Sequence, residues 1–288
     1  MVRTCDGGVS PHHDTAKRLN GLYAIALVTY HSRWSTTYII KIGKETMLMC
    51  NSHCVDWIER HLSSTEVRGR RVIEVGSFDV NGSVRPSIEC LHPAEYVGID
   101  MRSGPGVDIV CPAENLVARF GPDSFDIVVT NCALEHICHW KKAVSNMKQI
   151  CTPGGLIVAI APVRWPFHAY PNDFWRYDEY DMRAIFADML ILNIEAENTR
   201  NANVYIKVQK PLIFTECDLS DYRLYSVITG KRVLDIHTRD FLTLHFAQIL
   251  LGRGLHYLDP RIARILIYII MGIKLKLVDP LRRLVARL

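Results

Sequence analysis

The segment VIEVGSFDVNGS, Val72 to Ser83, decides how this chain is read. An apolar run carrying one acid, Glu74, ends at Gly76, as a strand ends when it enters a turn. A glycine there lets the backbone pass close to a ligand. Asn81-Gly82 supplies a second permissive turn just ahead of a helix. A dinucleotide site needs GxGxxG, so that a pyrophosphate can reach the helix N-terminus. Here the register is G-S-F-D-V-N-G, with Phe78 and Val80 in place of further glycines. The segment is therefore poor as a phosphate loop. It is adequate for an adenosine ligand without phosphate, which asks for close approach at one glycine and polar groups around it. S-adenosylmethionine is such a ligand.

On either side, from about residue 70 to 210, strands and helices alternate. RVIEVG, EYVGID, VDIV, SFDIVVT and LIVAIAP read as strands, and LILNIEAE and NVYIKVQK close the region as two more. NGSVRPSIECLH, WKKAVSNMKQIC and DEYDMRAIFADML read as helices, with Ala143, Met147 and Ile150 turned inward. Upstream, HCVDWIERHL (His53 to Leu62) reads as a short amphipathic helix. The alternation predicts an α/β fold with a mostly parallel sheet covered by helices on both faces. Ligands of such sheets sit at the carboxyl ends of the strands, where the strand order reverses. The second strand ends in Asp100, whose carboxylate is suited to accept both hydroxyls of a ribose. Met101 follows and is placed to pack against an adenine.

The later stretch FDIVVTNCALEHI…WKKAVSNMKQICTPGGLIVAIAP resembles the class I S-adenosylmethionine-dependent methyltransferases, over about residues 53–210. HAYPNDFWRY (His168 to Tyr177) is similar to a segment after the fifth strand in one bacterial and archaeal branch, often associated with sugars or glycoconjugates. The resemblance implies a Rossmann-like sheet with an antiparallel final strand, and S-adenosylmethionine as cofactor. It also implies that Glu74, Gly76 and Ser77 line the methionine part, and that Asp100 holds the ribose; Asn81, in the second turn, is a further candidate to bind the cofactor. Met101 and Cys111 to Glu114, with the Ala113 NH, would flank the adenine, and Asn131 would offer backbone to the methionine end. The chain departs from the family pattern at Phe78 and Val80, and at Pro112, where an Asp often precedes the Ala-Glu pair.

A hydroxyl acceptor must lose a proton, and the candidate bases are His136, past the fourth strand, and His168 and Asp173, past the fifth. Tyr170, Trp175 and Arg176 are candidate contacts to a ring or an acidic group of the acceptor. The reading is O-methylation of a small molecule, sugar or glycoconjugate. N-methylation of a small molecule and a non-catalytic scaffold are the alternatives. Nucleic acid is not expected as a partner: no D/N-P-P-Y-like run follows the fourth strand, and the net charge is only +4. No metal is expected either. In Cys132-Ala133-Leu134-Glu135-His136 a cysteine replaces the first carboxylate of the E-x-x-E-H metal motif of ubiquinone-pathway relatives, and a hard cation such as Mg²⁺ prefers oxygen.

The 288 residues, 49% hydrophobic and 22% charged, suffice for one large domain or a core with extensions. Nine cysteines without a CxxC pair read as reduced thiols of a cytoplasmic protein. The N-terminus lacks the apolar stretch of a signal peptide, and no run reaches the length of a membrane span. Residues 1–52 read as an N-terminal extension, 53–210 as the core and 211–288 as a mainly helical C-terminal extension. In the last, Asp259-Pro260 and Asp279-Pro280 open two helices with an apolar stripe and a basic remainder. Such helices pack on the body, on a second copy in a homodimer, or on an anionic membrane surface.

Overall fold

Strands made of consecutive apolar residues have two faces to bury. In the computed structural model, which describes residues 52–249 except 81, 169–171, 200, 244 and 247, they do so by strict alternation. Ile127, Val129, Leu156, Val158 and Ile160 face one side, while Val128, Ile157, Ala159 and Ala161 face the other. The strands are β1 (Arg71–Val75), β2 (Glu95–Asp100), β3 (Ile109–Val110), β4 (Phe125–Asn131), β5 (Cys151–Pro162), β7 (Leu190–Ala196) and β8 (Asn203–Gln209). They form a seven-stranded sheet in the order β3-β2-β1-β4-β5-β8-β7. Pairings are parallel from β3 through β5, and β8, the last of these strands in the chain, runs antiparallel to both neighbours. This is the Rossmann-like arrangement expected.

Helices cover both faces. On one, α1 (Ser52–His61), α2 (Ser64–Val67) and α3 (Arg85–Glu89) deliver Trp57, Ile58, Val67 and Ile88 to the sheet. On the other lie α4 (Leu116–Phe120), α5 (Trp140–Ile150) and α6 (Glu179–Ile185), which bury Leu116, Trp140, Met147 and Ile185. Each such side chain contributes about 1.5–3 kcal/mol of burial. Asp178 caps α6 by accepting from Asp181 N at 2.8 Å. Lys148, fully buried on α5, donates to Asp188 and to the Ile185 carbonyl, both at 2.6 Å, and so ties α5 to the end of α6.

The described part of 211–288 is strand and turn as far as Val233, and a 3-10 helix, Thr238–Leu242, follows. β6 (Trp175–Arg176), β9 (Leu224–Ser226) and β10 (Lys231–Val233) form a second, antiparallel sheet in the order β10-β9-β6, with Gly230 at φ 68° in the hairpin turn. Leu224 and Ile228 are buried in the main core, so this part packs on the core rather than standing apart. A two-residue strand such as β6 has no standing by itself, which is why its partner's strand character is hard to see in one dimension. The helices expected from Asp259 and Asp279 lie outside the described residues, as do the readings for 1–51. Among the described residues no helix is long and apolar enough to cross a membrane.

Candidate active site

The chain leaves β1 toward β2 and β3 on one side and returns to β4 and β5 on the other. The crevice between the β1 and β4 ends is therefore the reversal point where α/β sheets bind ligands. Gly76 turns the chain there at φ 84°. A Cβ on it would lie 2.2 Å from Ala133 Cβ, so the loops after β1 and β4 are pressed together at this point. Gly76 N and Ser77 N both donate to Ile99 O, at 2.8 and 2.9 Å, which binds the first loop to β2 as well. Phe78 fits because the missing space lies opposite it: a Cβ on Gly104 would sit 2.0 Å from the Phe78 ring. The glycine that this turn lacks is supplied by the β2–β3 loop.

These loops enclose a cavity of about 320 Å³ at the carboxyl edge of the sheet, the size range of small-molecule sites. Glu74, Gly76, Ser77, Asp100, Met101, Cys111, Ala113 and Asn131 all line it. Asn81 and Tyr170 lie outside the described residues. The far wall is made by His136, Ile137, Cys138, Asn172 and Phe174. Of these, Ile137, Cys138 and Asn172 carry no signal in the sequence that would have singled them out. Ser77 Oγ is buried beside the cavity without a hydrogen-bond partner, so a ligand there would find an unused polar group.

Glu74 is 3% exposed and accepts from Tyr96 Oη at 2.6 Å. Burial pushes its carboxyl up to about 7, against an ordinary 4.5 and against the pull of Tyr96 and Arg85. The folded state then holds a proton that the unfolded chain releases between about pH 4.5 and 7, so stability falls as pH rises through that window. Replacing Glu74 by Gln is expected to flatten this slope, by up to about 3 kcal/mol. Urea midpoints measured between about pH 5 and 7.5 check it, and an unchanged slope would assign the pH dependence elsewhere.

At the far wall the segment DFWRY is a strap rather than a lid. Phe174 N donates to Glu135 O at 2.8 Å, Trp175 Nε1 to Ile137 O at 3.0 Å, and Tyr177 Oη to Leu134 O at 3.2 Å. His136 Nδ1 is bonded to the Asn172 carbonyl. The strap thus fixes the Leu134-Glu135-His136 turn. Trp175 is 1% exposed, in the core, and not at the cavity. Arg176 is also buried, and its guanidinium bonds Asp173 Oδ1 and Oδ2 at 2.5 and 2.7 Å and the Trp165 carbonyl. Neither residue is placed to meet an acceptor. An aromatic strap and an aromatic lid have the same residue pattern, so Trp175 and Arg176 were expected at the acceptor.

Asp173 is spent in the same way. Despite burial, Arg176 and His168 hold its carboxyl well below the ordinary range, which makes it a weak base. Burial opposes the charged form of His168, yet Asp173 and Glu135 outweigh it and raise its imidazole to about 9. His168 therefore carries a proton at neutral pH and stands behind the cavity wall, not on it. Only His136 of the three candidate bases lines the cavity, and its Nε2 is buried, 3.8 Å from Glu135 Oε1.

A doubly wound sheet with a glycine turn, an acid at the end of β2 and a cavity at its reversal point is an α/β arrangement suited to a small ligand. Residues 81–159 match the methyltransferase domain family. Over that stretch the chain is similar to methyltransferase domains. The chain is 31% identical over 120 residues to phthiotriol/phenolphthiotriol dimycocerosates methyltransferase 1 of Mycobacterium ulcerans (strain Agy99), covering 38% of this chain and 43% of that protein. It is 30% identical over 109 residues to the corresponding methyltransferase of Mycobacterium leprae (strain TN), covering 33% and 39%. The match thus spans less than half the length of these curated relatives. Among solved structures, the 1,6-didemethyltoxoflavin-N1-methyltransferase of Burkholderia thailandensis aligns at TM-score 0.44 and 12% identity, over 58% of this chain and 80% of that one.

Proposed function

We propose that the protein transfers a methyl group from S-adenosylmethionine to a hydroxyl of a small-molecule, sugar or lipid-linked acceptor. The observation that carries this is that one cavity brings the cofactor-type residues together with a further wall of His136, Ile137, Cys138 and Phe174. That wall lies beyond the positions that would hold adenosine and methionine, and its partly apolar character suits an acceptor with an apolar part. The mycobacterial relatives, named for phthiotriol and phenolphthiotriol acceptors, support a hydroxyl.

The bound sulfonium supplies a reactive methyl group. The chain's part is placement. Asp100 takes the ribose hydroxyls, Ala113 and Cys111 flank the adenine, and Glu74, Ser77 and Asn131 surround the methionine end. Holding donor and acceptor in line supplies much of the rate. As the oxygen–carbon bond forms and the sulfur–carbon bond breaks, the hydroxyl proton must leave. The Glu135–His136 pair at the far wall is where the acceptor would be activated.

Transfer of label from methyl-tritiated S-adenosylmethionine to hydroxylated glycolipids tests the reading. Label recovered in base-stable ethers is expected. Label in amines would favour N-methylation instead, and cofactor binding without transfer to either would favour a scaffold.

We also place the protein in the cytoplasm, meeting its acceptor at an anionic membrane through the basic amphipathic segment 259–288. Deleting that segment is expected to reduce sedimentation with phosphatidylglycerol vesicles. A loss of dimerisation with vesicle binding intact would assign the segment to subunit contact.

A further inference from the structure

Behind the His136 wall, Glu135 draws a third residue, His168, into a buried cluster with His136. Glu135 is 1% exposed, and its Oε1 stands 3.8 Å from His136 Nε2 and 3.8 Å from His168 Nε2. Glu135 Oε2 and His136 Nε2 make no hydrogen bond. One ligand atom from each of the three residues lies within 4.8 Å of the others. A carboxylate buried to this degree requires a cation or a set of donors beside it, a place that protonated His168 holds at 3.8 Å, too far for a hydrogen bond. The nearby guanidinium of Arg176 is committed to Asp173.

The outer ring nitrogens are already tied down. His136 Nδ1 is bonded to the Asn172 carbonyl. His168 Nδ1 lies 2.9 Å from Pro166 O and 3.1 Å from Asp173 Oδ2. Carbonyl and carboxylate oxygens only accept, so each Nδ1 is the donor, and each Nε2 is the ring nitrogen directed at Glu135, able to offer a lone pair when it carries no proton. Metal-binding imidazoles are held in this manner by their surroundings. A second cavity of about 10 Å³ touches Glu135 and His168 and is also lined by Cys132 and Asn203. It has room for roughly one small occupant, and the buried Asn203 Oδ1 beside it has no hydrogen-bond partner.

We infer that Glu135, His136 and His168 form a site for one divalent transition cation of the zinc or cobalt class, set into the acceptor wall. Two imidazoles and a carboxylate suit such cations better than Mg²⁺. The cysteine at 132, which argues against an all-oxygen site, does not argue against this one. Bonds of about 2.0–2.2 Å in a tetrahedral site place ligand atoms about 3.4 Å apart, so the observed separations need to close by roughly half an ångström or more. The cation takes the place of the proton on His168 Nε2. With three protein ligands a coordination position stays open, and an acceptor hydroxyl bound there loses its proton to water more readily. This last role rests on the proposed methyl transfer; the site itself rests on the geometry.

Cobalt(II) is the probe. Added to the full chain after chelator treatment, it is expected to give visible d–d absorption saturating at one equivalent, without a thiolate charge-transfer band. Glu135→Gln and His136→Gln are each expected to weaken binding by at least about tenfold. His136 lines the open cavity, so its variant serves where the buried Glu135 variant fails to fold, and circular dichroism reports which has folded. Absence of stoichiometric binding, a thiolate-dominated spectrum, or unchanged affinity in the folded variants would overturn the site. Calorimetry with S-adenosylmethionine is run alongside. Failure of cofactor binding in the unmodified chain would sink the methyl-transfer reading and leave the cobalt result standing.

Discussion

Asp100→Ala is expected to weaken S-adenosylmethionine binding by about 30- to 1000-fold while leaving the fold intact. The carboxylate stands at the end of β2, half-buried, at the cavity. Its one assigned side-chain bond is local: Oδ1 accepts from Arg102 N at 3.0 Å. The backbone position is held independently, since Cys111 N donates to Asp100 O at 2.8 Å. Removing the side chain therefore leaves β2 and β3 paired. What is lost is a pair of charge-assisted hydrogen bonds to the ribose, together about 2–4 kcal/mol, at 1.4 kcal/mol per tenfold in affinity. Asp100→Asn keeps one acceptor and should fall between. Thermal unfolding of the free protein should hardly move, as is usual for a substitution outside the core. Isothermal titration with S-adenosylhomocysteine makes the measurement. Equal affinity in Asp100→Ala and the unmodified chain would remove the ribose role from this residue.

What was legible in the sequence was the part governed by local pattern. The apolar runs announced a sheet buried on both faces, and eight of the nine proposed cofactor residues line one cavity, the ninth, Asn81, lying outside the described residues. They follow a strand end, a turn and an acid, which are short-range features. What was not legible depends on contacts across the sheet. Phe78 reads as an intrusion until Gly104, on a different loop, is seen to leave room for it. Trp175 and Arg176 read as surface recognition groups because aromatic and basic residues carry no label for burial, yet one is 1% and the other 5% exposed. Glu135 and His168 are separated by a helix and the whole of β5, and only the folded chain brings them to 3.8 Å. The same holds for β9, whose strand character depends on pairing with Trp175 and Arg176.

Gly76, at the turn after β1, gives the second large effect. Gly76→Ala is expected to destabilise the protein by about 2–5 kcal/mol and to abolish tight cofactor binding, for two separable reasons. At φ 84° an L side chain meets its own backbone, which costs about 1–2 kcal/mol. The new methyl would also lie 2.2 Å from Ala133 Cβ, far inside a carbon–carbon contact, and relieving such overpacking costs about 1–3 kcal/mol. For a chain of this size that corresponds to a melting temperature lower by roughly 5–15 °C. Relief can come only by parting the loops after β1 and β4, and these are two walls of the cavity, so binding suffers with stability. The two causes part company in a double variant. Ala133→Gly removes the methyl that is struck but not the backbone strain. Gly76→Ala combined with Ala133→Gly should therefore be more stable than the sum of the single effects predicts, by about the overpacking share. Strict additivity in that cycle, read from urea unfolding, would mean that Gly76 is required for its backbone angle alone and that the contact with Ala133 does not hold the two loops together.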